Sequence, residues 1–279
     1  MKKICDLGEY KELMRENKER IGKVEKNCFL MSSSMNKYIE EERLYVETYE
    51  NGMVLYVDEG RYYNMYYFWK SDCKMFDFRQ DKPVLIEELN NNGSRNEYIE
   101  KIESSLFEVG FTVFKNNLQL ELSLKDKKKI IEKQLSEKLQ KISAQNLRLE
   151  FCTDDDILEK SIILWQDSLD VTDIPQEHMS LKSNDKLACI LTETREVIAT
   201  NWWRNSNKNS EGRHTVTHPE YFQRGLASTL LLVWCKDAID QGVERCYTWV
   251  SDTNDRSLAM FKKIGFTPNG RTSKQYILR

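Results

Sequence analysis

The chain has 279 residues, enough to bury two ordinary cores, and length alone allows either one large domain or two smaller ones. Lys and Arg number 42 against 45 Asp and Glu, a formal net charge of −3, so no global basic field draws it to nucleic acid or anionic lipid, although a local basic loop is compatible with these totals. Seven cysteines without a Cys-x-x-Cys pair, no apolar run of spanning length and an N-terminus charged within its first ten residues lead us to expect a cytoplasmic protein with reduced thiols, no secretory signal, no membrane span and no metal site.

Over 4–31 charged and apolar positions alternate at helical spacing, and the cluster Ser32-Ser33-Ser34 starts a second, short helix. The period then changes. "RLYVETYENGMVLYVDEGRYYNMYYFW" (43–69) is rich in Tyr and Val and punctuated by Asn51-Gly52 and Glu59-Gly60, as in two hairpins; "PVLIEEL" adds a strand. Ser94 is placed to cap an amphipathic helix over 95–108 that ends at Gly110, and "FTVFKNNLQLELSL" reads as a hairpin with Asn116-Asn117 at its tip. The tyrosines at 62, 63, 66 and 67 read as half-buried strand positions before they read as a binding wall.

"KDKKKIIEKQLSEKLQKISAQ" (125–145) lacks Gly and Pro and is apolar at Ile130, Ile131, Leu135, Leu139 and Ile142, which predicts a connecting helix with a solvated charged face. It separates a first domain over 1–124 from a second over 146–279. In the second, strand "LRLEFC" precedes the helix "DDDILEKSIILWQDSL", and "KLACILTETREVIATNWW" reads as a hairpin turning near Thr194-Arg195. Strand "RHTVTH", a helix over 227–241 stopped by Gly242, strand "RCYTWVS", helix "DRSLAMFKKIG" and strand "KQYIL" complete a mixed α/β order with one βαβ crossover. Because adjacent strand residues face opposite sides, one of Trp202 and Trp203 is expected in the core and the other at the surface or an interface. Lys262 and Lys263 read as partners of a helix C-terminus; His178 and His218 lack spaced partners and receive no role. The order strand, Asn-rich turn, helix, apolar-Gly-Phe-Thr, strand occurs in both halves, as a duplication leaves it, though such short matches also arise by chance.

The stretch carrying most chemical information is "THPEYFQRGLAST" (217–229). Gly225 and Ala227 carry no bulk, so an anion can approach the backbone of Gln223, Arg224, Gly225, Leu226, Ala227 and Ser228 while the following helix offers free N–H groups. Strand "TVTHP", loop "QRGLA", a long helix, strand "CYTWV" and "TNDRSLAMFKKIGF" together resemble the GCN5-related N-acetyltransferase (GNAT) family, over about 147–279. The resemblance implies an α/β (α+β) fold with a mixed, mostly antiparallel sheet flanked by helices, here as two tandem units with a degenerate first one. It implies acetyl-CoA as co-substrate, its pyrophosphate on the loop, its pantetheine arm along the main chain of Thr215, Val216 and Thr217, and its thioester where two parallel strands splay. Asn254, Ser257 and Phe261 fall at positions that usually touch the coenzyme.

Two positions depart from the family pattern. Phe222 stands where Gln or Arg is usual, leaving phosphate contacts to backbone N–H groups or to Gln223 and Arg224; Phe261 stands where a tyrosine often protonates the departing thiolate. Tyr247, Tyr276 and Cys246 are substitute donors, only one of Cys246 and Tyr247 facing inward, and Glu211 and His214 are candidate bases on the strand before the loop. The expectation is direct acetyl transfer to a primary amine of a small molecule or peptide, with neither nucleic acid nor membrane as partner. A non-catalytic acyl-CoA sensor is the alternative, and a purely structural protein a third reading.

Overall fold

The computed structural model describes residues 1–28, 30, 32–70, 80–170 and 180–279. His178 and Cys73 lie outside them. The chain forms two compact units, Met1–Asn116 with Arg271–Arg279, and Asn117–Gly270.

In the first unit β1 (Lys2–Lys3) leads into α1 (Leu7–Ile21), whose N-terminus is capped by Asp6 accepting from Glu9 N at 2.8 Å. Helical spacing continues to residue 31 in the sequence, but Gly22 takes φ 73° and ends the helix; Glu25–Lys26 then form β2, paired with β5 (Tyr63–Trp69). After α2 (Ser32–Glu40), β3 (Leu44–Tyr49), β4 (Gly52–Asp58) and β5 form the two hairpins, turning at Asn51-Gly52 and Glu59-Gly60. β6 (Val84–Asn91) is parallel to β5 and precedes α3 (Asn96–Glu108). Ser94 does not cap α3: the Asn90 side chain accepts from Arg95 N at 3.0 Å and donates to Asn96 at 2.6 Å. The sheet order is β1-β3-β4-β5-β6, followed by Arg271–Leu278 of β13 (Thr267–Leu278). Tyr56, Tyr67, Ile86 and Tyr276 cover one face beneath Ile102 and Leu106 of α3, and Val46, Leu55 and Val57 face Met35 and Tyr38 of α2. Tyr63 and Tyr67 are buried in the first of these cores, and Tyr62 is buried in a small separate cluster with Leu85 and Ile277.

The expected hairpin at Asn116-Asn117 is one unbroken strand, β7 (Thr112–Ser123), within which the chain passes from the first unit to the second. Asn117 to Ser123 do not fold back; they pair antiparallel with β12 (Arg245–Ser251). The second unit continues through α4 (Lys128–Ser143), β8 (Arg148–Phe151), α5 (Asp155–Ser168), β9 (Asp185–Leu191), β10 (Val197–Ser206), β11 (Asn209–Thr217), α6 (Leu226–Asp240), β12 and α7 (Asp255–Ile264). Its sheet order is β7-β12-β11-β10-β9-β8, antiparallel except for β11 and β12, which α6 joins as a βαβ crossover. The boundaries therefore differ from 124 and 146. α4 is not a free linker: its Ile131 and Ile142 are buried in the core that holds Leu230, Leu231 and Trp234 of α6.

Both tryptophans at 202 and 203 are fully buried, contrary to the expectation that one would reach the surface. Trp202 stacks on Trp165 of α5, ring centroids 5.5 Å apart, while Trp203 lies in the core beside α6 and donates its indole N–H to Asp237 at 2.8 Å. Alternation holds, but helices cover both faces of this sheet. Among the described residues no helix is long and apolar enough to cross a membrane.

Candidate functional site

The site begins with a defect in a strand pair. Trp202 of β10 opposes His214 of β11, but Trp203 opposes Gly212, leaving Arg213 as an extra residue on β11. Such a bulge bends its strand and ends regular pairing. Accordingly, β11 and β12 pair only from Asn209↔Arg245 to Gly212↔Thr248, and Thr248 Oγ1 donates to Gly212 O at 3.0 Å at the last rung. Gly212 is required here, because an added Cβ would lie 2.6 Å from the Trp234 ring. Beyond the rung, His218 N donates to Ile198 O at 2.8 Å, so strand alternation turns the main-chain groups of Thr215 and Thr217 away from β10, toward the side β12 has left.

β11 then enters a 3-10 turn, Pro219–Tyr221, whose entry is fixed by the His218 ring accepting from Glu220 N at 3.4 Å. Gln223 (φ 64°) and Gly225 (φ 81°) adopt left-handed backbone two residues apart, a pattern that turns successive N–H groups into one concavity. α6 starts at Leu226 without a side-chain cap, and among the described residues no N–H from Gln223 to Ser228 donates to a protein acceptor. The local polar groups contact the carbonyl instead: Ser228 Oγ donates to Gly225 O at 2.8 Å and Thr229 Oγ1 at 3.0 Å.

These elements line a cavity of about 840 Å³. Of the coenzyme positions expected from sequence, Thr215, Val216 and Thr217 line it from β11. Gln223, Gly225, Leu226, Ala227 and Ser228 line it from the loop and helix start, and Asn254 and Ser257 from α7. Asn254 also caps α7, accepting from Ser257 N at 3.0 Å, and Thr217 brings a buried hydroxyl with no partner among the described residues. Arg224 and Phe261 are not in the lining. Arg224 packs on the Tyr221 ring at 4.7 Å and donates to Glu220 O at 3.4 Å; Phe261 is 4% exposed and packs edge-on against Phe266 in the core. Phe222 does line the cavity, 42% exposed, with the Arg256 guanidinium 3.8 Å over its ring.

None of the expected acid–base residues lines the cavity. His214 is buried 5.4 Å from each of the Trp165 and Trp202 rings. Glu211 is opposite Tyr247 across the parallel pair and bridges to Arg213 at 3.1 Å. Cys246 is in the core, where burial pushes its thiol well up, so of the pair it is Tyr247 that turns to the other face. Tyr276 lies in the core of the first unit.

Sequence reasoning missed four cations. Lys138 and Lys141 of the helix read as a solvated linker, Lys263, read as a helix-dipole partner, and Arg256 all line the cavity. Lys138 Nζ donates to Ser228 Oγ at 3.0 Å and would lie 3.3 Å from a Cβ on Gly225; burial, then Lys141 and Lys263, hold its ammonium below the usual lysine range. One signal was present: Gln134, Lys138 and Lys141 recur at spacings of four and three, along one shoulder of the Ile131–Leu135–Ile142 stripe.

A left-handed loop at an uncapped helix start, beside a bulge that frees a strand edge, defines an anion cradle followed by an extended-chain groove. Residues 155–266 match the model of the acetyltransferase (GNAT) family, so the second unit carries a GNAT domain. Solved structures with the same fold include a GCN5-related N-acetyltransferase from Kribbella flavida (10% identity, 89% of this chain and 96% of that one, TM-score 0.51). A tandem GNAT protein from the clavulanic acid biosynthesis pathway (9%, 85% and 83%, 0.51) and a GCN5-related N-acetyltransferase-like protein from Streptococcus suis (11%, 96% and 99%, 0.51) share it too. Among curated proteins none matches.

Proposed function

We propose that the second unit binds acetyl-CoA and transfers its acetyl group to a primary amine by direct attack. The observation that carries this reading is the run of N–H groups from Gln223 to Ser228 without acceptors among the described residues, opening on a cavity whose described lining has four cationic side chains and one carboxylate, Glu137. Those groups suit a diphosphate: Gly225 leaves room for it, α6 directs its dipole at it, and Lys138 reaches the same spot. The freed edge at Thr215 and Thr217 offers main-chain partners to an amide-containing arm running toward the bulge.

Acetyl-CoA supplies an acyl carbon already activated by its thiol leaving group. This chain's part is to hold the diphosphate, extend the arm along β11 and present the carbonyl to a main-chain N–H, so that orientation carries most of the rate. The amine nitrogen bonds to the carbonyl carbon as the carbon–sulfur bond breaks, and the amine proton leaves to solvent; Phe261, Cys246 and Tyr276 are buried in cores and Tyr247 is outside the lining, so none of the donors expected from sequence stands in the cavity among the described residues. The acceptor is a small-molecule amine or a peptide amine.

That same absence favours a second reading from a different class, an acyl-CoA sensor that binds without turnover. The two separate in one experiment: thermal stabilisation by acetyl-CoA, followed by free-thiol release over a panel of amines. Stabilisation with amine-dependent thiol release supports transfer, stabilisation with none supports the sensor, and no stabilisation rejects both.

A further inference from the structure

We infer that Lys141 and Lys263, with Lys138 between them and the loop, bind the 3′-phosphate of the coenzyme, so that this unit distinguishes CoA from its 3′-dephospho form. The inference rests on the acyl-CoA reading above and names what selects the nucleotide end of that ligand.

The charge distribution around the cavity is the starting point. In a chain of net charge −3, the described residues of its lining include Lys138, Lys141, Lys263 and Arg256 and one carboxylate, Glu137. Other lysines here find carboxylates, as Lys160 does at Asp156 (2.8 Å) and Lys274 at Glu103 (2.5 Å). Among the described residues these three lysines form no such pair; Lys138 has the neutral Ser228 hydroxyl at 3.0 Å. The two others lie close enough to depress its ammonium further, so the cluster repels itself in the free protein. An arrangement that keeps like charges together with no carboxylate paired to them among the described residues conflicts with its own stability, and such conflicts collect at functional sites.

A diphosphate alone does not account for this excess. It carries two negative charges in a diester-like link, and the N–H groups from Gln223 to Ser228 with Lys138 already match it. A phosphate monoester brings up to about two further charges and three acceptor oxygens. In CoA that monoester sits on the ribose 3′-oxygen, next to the 5′-oxygen that carries the diphosphate, so an ammonium group nearest the loop with two more beside it matches the order of the anions. Lys138 and Lys141 come from α4, which precedes the segment 155–266 matching the family model.

Calorimetric titration of the full chain with CoA and with 3′-dephospho-CoA tests this. Lys141 and Lys263 are exposed, so Lys141→Ala/Lys263→Ala leaves the cores untouched. The wild type is expected to prefer CoA by about tenfold or more, a preference that added salt reduces. The double variant should lose most of that preference by weakening CoA while leaving 3′-dephospho-CoA within about twofold, and Lys141→Arg/Lys263→Arg should retain it. Equal affinity of the wild type for both ligands, or an undiminished preference in the double alanine variant, overturns the inference and leaves the acyl-CoA reading standing. Binding of neither ligand removes that reading and the inference with it.

Discussion

Among the described residues each unit contains one parallel strand pair that separates after a few rungs, and the two differ in what fills the gap. In the second unit β11 and β12 part after Gly212↔Thr248, and the edge from Thr215 to Thr217 opens on a cavity. In the first, β5 and β6 pair only at Tyr63↔Val84 and Asn64↔Leu85, and the gap beyond is closed by the chain itself. The Asn27 side chain, 1% exposed, donates to Met65 O at 3.1 Å and Glu87 O at 3.3 Å and accepts from Tyr67 N at 2.8 Å. β2 lies alongside, and Arg95 holds Lys26 O at 3.3 Å. One amide side chain thus satisfies the three main-chain groups that an extended ligand would use. Both units hold such a parallel pair but only the second leaves its strand edge open, so acyl-CoA is expected only in the second unit.

The largest expected effect comes from filling the open cradle. In Gly225→Glu a side chain at φ 81° enters beside Lys138 and places a carboxylate where the diphosphate should lie; coenzyme affinity should fall by at least about 10³-fold, near 4 kcal/mol, by calorimetry. Removing the plug from the closed cradle comes next. Asn27→Ala strips three buried main-chain groups of their partner and should lower the stability of the first unit by about 3 kcal/mol in denaturant unfolding, leaving coenzyme affinity unchanged. A change in coenzyme affinity there would break the comparison.

A third test uses pH. Burial pushes the Glu88 carboxyl from near 4.5 up to about 7, against the opposing pull of Tyr67 and of Arg95 at 3.2 Å. Since the folded value is the higher one, the folded state holds the proton more tightly between about 4.5 and 7; the contribution is complete below that window and lost as pH rises through it. Stability of the first unit should fall across it by on the order of 2 kcal/mol, and Glu88→Gln should flatten that slope without altering coenzyme binding. The smallest effect is expected for Phe261→Tyr. With residue 261 packed on Phe266, an added hydroxyl meets core and should cost about 1 kcal/mol in thermal melts with no gain in thiol release. Faster release would mean that the ring reaches the cleft.

Most elements were legible because their signals are local: Asn51-Gly52 and Glu59-Gly60 at hairpin turns, Asp154 before α5, and Gly225 at the start of α6. The errors fell where a distant partner decides. Asn116-Asn117 looks like a turn, yet β12 supplies a partner for the strand to continue. Trp202 and Trp203 obey alternation, but no local pattern tells that helices cover both faces. The loop of the site was readable from its small residues, whereas the bulge at Arg213 depends on the register between two strands, and Lys138 reaches Ser228 across ninety residues of sequence. Charge on a helix reads as solvation until the neighbour it faces is known.

The central claim is that the N–H groups from Gln223 to Ser228 hold the diphosphate of one acyl-CoA. Calorimetric titration of the full chain with acetyl-CoA addresses it most directly, because it gives affinity and stoichiometry together. One site per chain, abolished in Gly225→Glu and kept in Asn27→Ala, is the expected result; no binding, two sites per chain, or a site indifferent to Gly225→Glu would contradict the account.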